Sequence, residues 1–279
     1  RRIPHLLLLT GTPLINNERE LEVLRGLFGS ANPPMLRRLL EDVAKDIPPK
    51  TRSSVPVELR PKDRADYDRA EGDFETWLQR ELHKRLQSGE AEAAAHRALA
   101  AEALVKIGYL RRILGKAKVH AAAEWVHRAV LLGEAVVVFL EHVEPLENLQ
   151  KLLRKQRIGF VTIQGSTSAK GRQDAVDSFQ AGEVPVLLAT KAGKEGITLH
   201  RARHLLFLER YFTSAEEEQA EDRIRRIGQK YRTTIWFLHG VNTIDDRLAQ
   251  IIESKRRLIR AAIGSADVAE TEQGAVMGL

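Results

Sequence analysis

The sequence predicts an α/β protein built on a doubly wound parallel sheet, with a long helical stretch inserted ahead of most of its strands. Continuous apolar runs of strand length recur at Ala135–Leu140, Val186–Thr190, His204–Leu208 and Thr233–Leu238, the pattern of parallel strands covered on both faces. Between them lie segments with helical spacing, such as Leu149, Leu152 and Leu153. The connections after about residue 130 are short, which favours β-α-β order with helices on both sides of one sheet.

In chain order, Leu6–Leu9 reads as a short buried strand, followed by a Gly-Thr-Pro turn and a helix capped near Asn16 and Asn17. Pro61 opens a helix on which Tyr67, Phe74, Trp77 and Leu78 share an apolar face. Gly89–Ala93 interrupts that pattern and Leu99–Leu114 resumes it. This Leu/Trp stripe reads as core rather than as a platform for stacking bases. Glu147–Lys155 is helical, and Phe160–Ile163 is a strand. Gly165, Ser166 and Thr167 follow it and can offer backbone and hydroxyl donors to a phosphate at a helix start; ordinary capping by Ser166–Ser168 accounts for the same residues. Val186–Thr190 leads into a turn bearing Lys191, Gly193, Lys194 and Gly196, where glycine permits close backbone approach to a ligand. Thr233–Leu238 closes the sheet, Thr243 to Asp246 opens a basic helix, and Gly264–Leu279 is expected to be a flexible tail.

Composition narrows the class. The 279 residues suffice for a full core, and the formal net charge is +6. Zero cysteines exclude disulfides and thiolate zinc sites. His120, His127 and His142 lack carboxylate company at ligand spacing, so no metal is assigned to them. No apolar stretch approaches the about 18 residues of a membrane helix. Five bases and no acid lie between Ala103 and Ala123 (Lys106, Arg111, Arg112, Lys116 and Lys118), and five bases with only Glu253 lie between Arg247 and Arg260. Such stretches read either as patches attracting a polyanion or as solvated helix faces.

The densest chemistry lies in Gln219–Gln229, where Arg223, Arg225 and Arg226 precede an Ile-Gly-Gln turn. Three guanidiniums this close repel unless anions meet them, and the planar fork of arginine suits phosphate oxygens. Glu216, Glu217, Glu218, Glu221 and Asp222 lie just upstream, so a solvated charged helix is the plain alternative.

This stretch resembles the sixth helicase motif of the Swi/Snf-type ATPases of helicase superfamily two, Gln-Ala-x-Asp-Arg-x-His-Arg-Ile-Gly-Gln, departing from it by Arg225 in the His slot. Other pieces arrive in the same family's order. Leu6–Leu21, with Thr10-Gly-Thr12-Pro and Asn16-Asn17, is similar to the third motif. Phe160–Arg172 and Phe179-Gln180 look like the family's strand, its Gly-Ser/Thr-Thr turn, its Arg and the Phe about seven residues later. Val186–Leu199 is similar to the fifth, with Lys194 where the family has a second Gly. Tyr211-Phe-Thr-Ser214 stands where a Trp-Asn-Pro is common, so a different aromatic, or none, packs there. Leu104–Arg112 and Lys118–Val126 look, more loosely, like the helical region of fork-remodelling members such as the HARP annealing helicase.

The resemblance implies a RecA-like lobe of the P-loop NTPase type. It places Arg223 and Arg226 in arginine-finger positions toward the γ-phosphate of ATP, with Gln219 beside them and Gly193, Gly196 and Asp222 bordering the nucleotide. It also places Gly165, Ser166, Thr167, Arg172, Thr190, Lys191, Thr10 and Thr12 toward the backbone of double-stranded DNA. Neither a Gly-x-x-x-x-Gly-Lys-Ser/Thr loop nor an Asp-Glu-x-His box occurs. ATP and Mg²⁺ would therefore be held mainly by a missing N-terminal RecA-like lobe, and the chain reads as a fragment, inactive alone. By this reading residues 1–50 are the end of that first lobe and a linker, 51–128 a helical protrusion, 129–263 the C-terminal lobe and 264–279 the tail. RNA polymerase or replication and repair proteins are further partner classes, in a prokaryotic cytoplasm and nucleoid or a eukaryotic nucleus. A strand-separating helicase and a catalytically idle module binding nucleic acid or RNA polymerase are the alternatives.

Overall fold

The computed structural model describes residues 22–23, 26–27, 44–87, 92–191 and 196–263. The strand at Leu6–Leu9, the caps at Asn16 and Asn17, Thr10, Thr12, Gly193, Lys194 and the tail 264–279 lie outside them. The described strands form one all-parallel six-stranded sheet, ordered β1-β6-β5-β2-β4-β3. They are β1 (Lys50–Val57), β2 (Val136–Leu140), β3 (Phe160–Ile163), β4 (Val186–Thr190), β5 (His204–Phe207) and β6 (Thr233–Gly240). The helices are α1 (Pro61–Gln87), α2 (Glu92–Leu131), α3 (Val143–Lys155), α4 (Ala169–Ala181), α5 (Ser214–Ile224) and α6 (Ile244–Ile263).

The apolar runs become strands because both faces of the sheet are covered. Every residue of β2 and β4 is buried. Val136, Val138 and Leu140 point into one core with Leu110 and Leu114 of α2, Leu149 of α3 and Leu248 of α6. Val137 and Phe139 point into the other, with Phe179 of α4 and Ala220 and Ile224 of α5. Phe139, Phe207 and Phe237 sit level on three neighbouring strands; Phe207 stacks on Phe237 at 5.0 Å and lies 6.0 Å from Phe139. Such aromatic pairs add about 0.5–1.5 kcal/mol beyond their burial. The doubly wound parallel sheet expected from the sequence is what forms.

Strand β1 was not expected. Its sequence, Lys-Thr-Arg-Ser-Ser-Val-Pro-Val, lacks an apolar run, and only Val57 is buried. Among the described strands it pairs in register only with β6, at the edge of the order, where one-sided pairing tolerates Pro56. The two long helices are bonded to the end of β6 and the start of α6. The Tyr67 hydroxyl, fully buried on α1, accepts the N–H of Ile244 at 2.7 Å and donates to Glu71 at 3.0 Å. Lys118 of α2, 1 % exposed, donates to Asp245 at 2.7 Å and to the Leu238 carbonyl at 2.9 Å.

Two expectations about charge need correction. The acids ahead of the arginines are not all solvated: Glu217 and Glu221 are both fully buried in ion pairs, while Asp222 stays exposed. Nor is Ala103–Ala123 a free basic patch. Arg111 is buried against Glu141 at 2.5 Å, Lys118 against Asp245, while Arg112 and Lys116 both reach Glu144. In the second basic stretch Arg256 is buried and paired with Glu217, Glu218 and Glu253. Charge along a helix does not reveal which acids from elsewhere will meet it.

Candidate functional site

Two groups of the sequence-predicted residues come together at separate corners of the sheet. The first is at the carboxyl ends of β3 and β4, hydrogen-bonded neighbours that pair Ile163 with Ala189. Gly165 and Ser166 are exposed there. Thr167 closes the turn: its hydroxyl accepts the Gln164 N–H and its own N–H donates to the Gln164 carbonyl, both at 2.9 Å. Ser168, not Ser166, caps α4, its hydroxyl accepting the Gly171 N–H at 3.1 Å. Arg172 donates to the Thr167 carbonyl at 3.3 Å, which holds the guanidinium over the turn. Thr190 is buried at the end of β4, and the Lys191 ammonium lies 2.5 Å from Glu216 in the first turn of α5.

The second group gathers where α5 returns toward the start of β6. Parallel topology dictates this, because α5 begins after the end of β5 and must run back to Thr233. The segment leading into β5 lies against it: Leu199 N–H donates to the Arg223 carbonyl at 2.8 Å. Arg226 Nη1 donates to the Thr198 hydroxyl at 3.1 Å and the Ile197 carbonyl at 3.4 Å. The rest of the Arg226 side chain is exposed, and Gly196, at φ 72°, lies two residues from Thr198. Gln219, Asp222 and Arg223 share α5; Gln219 and Arg223 are half-buried, while the Asp222 side chain is 53 % exposed and 3.8 Å from Lys50.

Gln229, to which sequence reasoning gave no role, is the keystone of this corner. It is 4 % exposed, and its amide donates to the carbonyls of His200 and Ala202 at 2.9 Å and of Ile224 at 3.1 Å. Its carbonyl accepts the Tyr231 N–H at 3.0 Å. Gly228 makes this reversal possible at φ 101°, a conformation L side chains rarely adopt. The Ile-Gly-Gln ending thus fixes the turn from which Arg226 projects.

Arg225, the departure from the family pattern, turns inward. It is 4 % exposed, and its Nε donates to the Pro48 carbonyl at 3.2 Å. Glu221, one turn earlier, takes Arg52 in a bidentate pair at 2.9 and 2.7 Å and Lys50 at 2.7 Å. Burial alone would raise the pKa of Glu221, but Lys50 and Arg52 outweigh it and hold the carboxyl well below the usual carboxylate range. A depressed carboxylate contributes stability above its unfolded value, 4.5, that is lost as pH falls toward the folded value. The Tm of Glu221→Gln is therefore expected to fall less than that of the parent between about pH 5 and pH 3. Parallel curves from thermal melts across that range would contradict the assignment.

A third cluster, also missed, sits at the carboxyl ends of β2 and β5. Glu209, 3 % exposed, accepts the N–H groups of Glu141 and His142 at 2.9 and 3.0 Å and meets His142 Nδ1 at 2.5 Å. Gly115 of α2 is required beside it, since a Cβ there would lie 2.8 Å from the carboxylate. Tyr211 fills the aromatic slot: it is buried edge-on to Phe207 at 5.6 Å, and Phe212 lies under the Arg111 guanidinium at 4.0 Å.

The helicase conserved C-terminal domain family matches residues 118–228, a span that runs from α2 through the β3–β4 corner to Gly228. An uncharacterised ATP-dependent helicase of Mycoplasma genitalium is 26% identical over 88% of this chain and 24% of its own length. The SWI/SNF-related matrix-associated actin-dependent regulator of chromatin subfamily A-like protein 1 homolog of Caenorhabditis elegans is 30% identical over 85% of this chain and 33% of its own. By these likenesses the chain is similar to the C-terminal helicase lobe of the Swi/Snf-type, superfamily-two proteins. A Swi2/Snf2 ATPase core of Sulfolobus solfataricus, solved with double-stranded DNA, shares the lobe's fold with a TM-score of 0.58 and 24% identity, over 90% of this chain and 53% of that one. The lobe spans about a quarter of the length of the first curated relatives, at 24% and 22%. Among the described residues no helix is long and apolar enough to cross a membrane.

Proposed function

We propose that this lobe works as the C-terminal half of an ATP-driven motor that translocates on or remodels double-stranded DNA. One observation carries the reading: Arg226 is exposed on a turn whose neighbours are fixed from several sides, by Gln229, by Leu199 and by Thr198. A guanidinium held this way keeps its fork oriented, and orientation is what lets an arginine meet charge developing on a transferring phosphoryl group. In this reading Arg223 and Arg226 act as arginine fingers, Gln219 lies beside them, and Gly193, Gly196 and Asp222 border the nucleotide. ATP binds chiefly to an N-terminal lobe. Mg²⁺ is assigned to that lobe as well.

The corner at β3 and β4 is the DNA-facing side of the same proposal. Gly165, Ser166 and Thr167 offer backbone and hydroxyl groups, while Arg172 and Lys191 supply charge; Thr190 anchors the strand end. Thr10 and Thr12 belong to the same reading. Phosphate contacts of this kind position a duplex without reading its bases. The purified chain should bind duplex DNA weakly and without sequence preference. With two cations at that corner, log affinity should fall against log salt with a slope of about −2. Tight selection of one sequence, or binding indifferent to salt, in fluorescence-anisotropy titrations would overturn the reading.

A further inference from the structure

The arginine turn is held from a second side, by the chain that enters the lobe. Pro48 accepts from Arg225 Nε, and the Pro49 carbonyl accepts the Thr233 N–H at 3.4 Å. Immediately afterwards Lys50 meets Glu221 at 2.7 Å and Asp222 at 3.8 Å. Arg52, two residues on and therefore on the same face of β1, grips Glu221 with both arms of its fork and approaches Glu218 at 3.8 Å. Apart from the bond to Thr233, every one of these contacts falls on α5 or on Arg225, the residue that ends it. Glu221 is the decisive member, because its carbonyl accepts the Arg225 N–H at 3.0 Å and so closes the last helical turn before Arg226.

Surface arginines and lysines pair with acids in many proteins with little consequence, but this set is different in kind. Glu221 is fully buried, and the Lys50 and Arg52 side chains are only 15 % and 16 % exposed. The pairing is fixed in geometry, since a bidentate guanidinium pair tolerates little rotation. Strand β1 has few apolar side chains to hold it to α5, and ionic contacts take their place.

We propose that Lys50 and Arg52 are positioning residues for the Arg223–Arg226 turn, clamping the incoming chain at Pro48–Arg52 to the C-terminal end of α5. A pull or rotation of that incoming chain is then conveyed to the turn through Glu221 and Arg225 rather than through the sheet. The proposal rests on the reading of Arg226 as an arginine finger.

The test uses the full-length protein and reads kcat and KM for DNA-stimulated ATP hydrolysis, with Tm measured alongside. Lys50→Met and Arg52→Gln should each lower kcat by about ten- to a hundred-fold, as small misplacements of a reacting group do, while KM for ATP stays within about twofold. Arg52→Lys keeps the charge but loses the fork, and should recover kcat only in part. Arg60→Gln, which removes an exposed partner of Asp63, should leave kcat unchanged. In an Arg226→Ala background, Lys50→Met should cause little further loss of kcat, because a positioning residue has nothing left to position. Lower Tm with kcat unchanged, or the same fall in kcat with and without Arg226, would reduce the clamp to a structural contact and overturn the proposal. If Arg226→Ala itself leaves kcat intact, the finger reading fails first and the proposal falls with it.

Discussion

Replacing Arg226 by alanine in the full-length protein is expected to lower kcat for DNA-stimulated ATP hydrolysis by about 10³-fold, or about 4 kcal/mol. Affinity for ATP and DNA should change far less, because most contacts to both would come from elsewhere. Lysine should rescue poorly, since one ammonium cannot reproduce two arms held in a plane. Arg225 should separate from Arg226 in the same assay. Arg225 is buried and bonded to Pro48 within the clamp, so its loss should lower Tm as well as kcat, the fall in kcat staying well short of that at Arg226. Steady-state kinetics and melts of the single variants decide the matter. Equal, mild effects of alanine at 223, 225 and 226 on turnover would mean that the arginines do not meet a phosphoryl group.

Glu217→Ala should be the most destabilising single change to an ionic side chain in this lobe. Glu217 is fully buried and takes Arg210 through two bonds at 3.0 Å and Arg256 at 3.1 Å. Arg210 and Arg256 are themselves 8 % and 2 % exposed. Removing the carboxylate leaves two guanidiniums with less counter-charge in a poorly solvated place, and breaking such a pair costs about 3–5 kcal/mol. For a domain of this size that lowers Tm by on the order of 10 °C. Asp63→Ala breaks only the surface pair with Arg60 and should cost less than about 1 kcal/mol. If calorimetry finds the two variants equally mild, the Glu217 cluster does not hold α5 to α6.

The behaviour of individual residues shows where reading the sequence succeeds and stops. Val136–Leu140 and Val186–Thr190 announce themselves because a run with every position apolar has one stable use, a strand covered on both faces. Lys50–Val57 does not, since an edge strand pairs once and needs little apolar surface. The order of motifs and the Arg-Ile-Gly-Gln ending were legible for the same local reason: a turn at positive φ needs Gly228, and the spacing of arginines is a property of adjacent residues. Which arginine faces outward was not. Arg225 and Arg226 are neighbours in sequence, yet one is 4 % exposed beneath Pro48 and the other projects beside Thr198.

The apolar strands, helix periodicity and the family motifs follow from interactions between residues close in the chain, and those the amino-acid order alone decided. The partners of Glu217, Glu221, Arg111 and Lys118 come from segments up to 171 residues away in the case of Glu221 and Lys50. A charge buried by a distant segment has no local signature, because desolvation and compensation both arise only once the segments meet. Only the tertiary structure could therefore turn an apparently solvated acidic helix into the element that fixes the arginine turn.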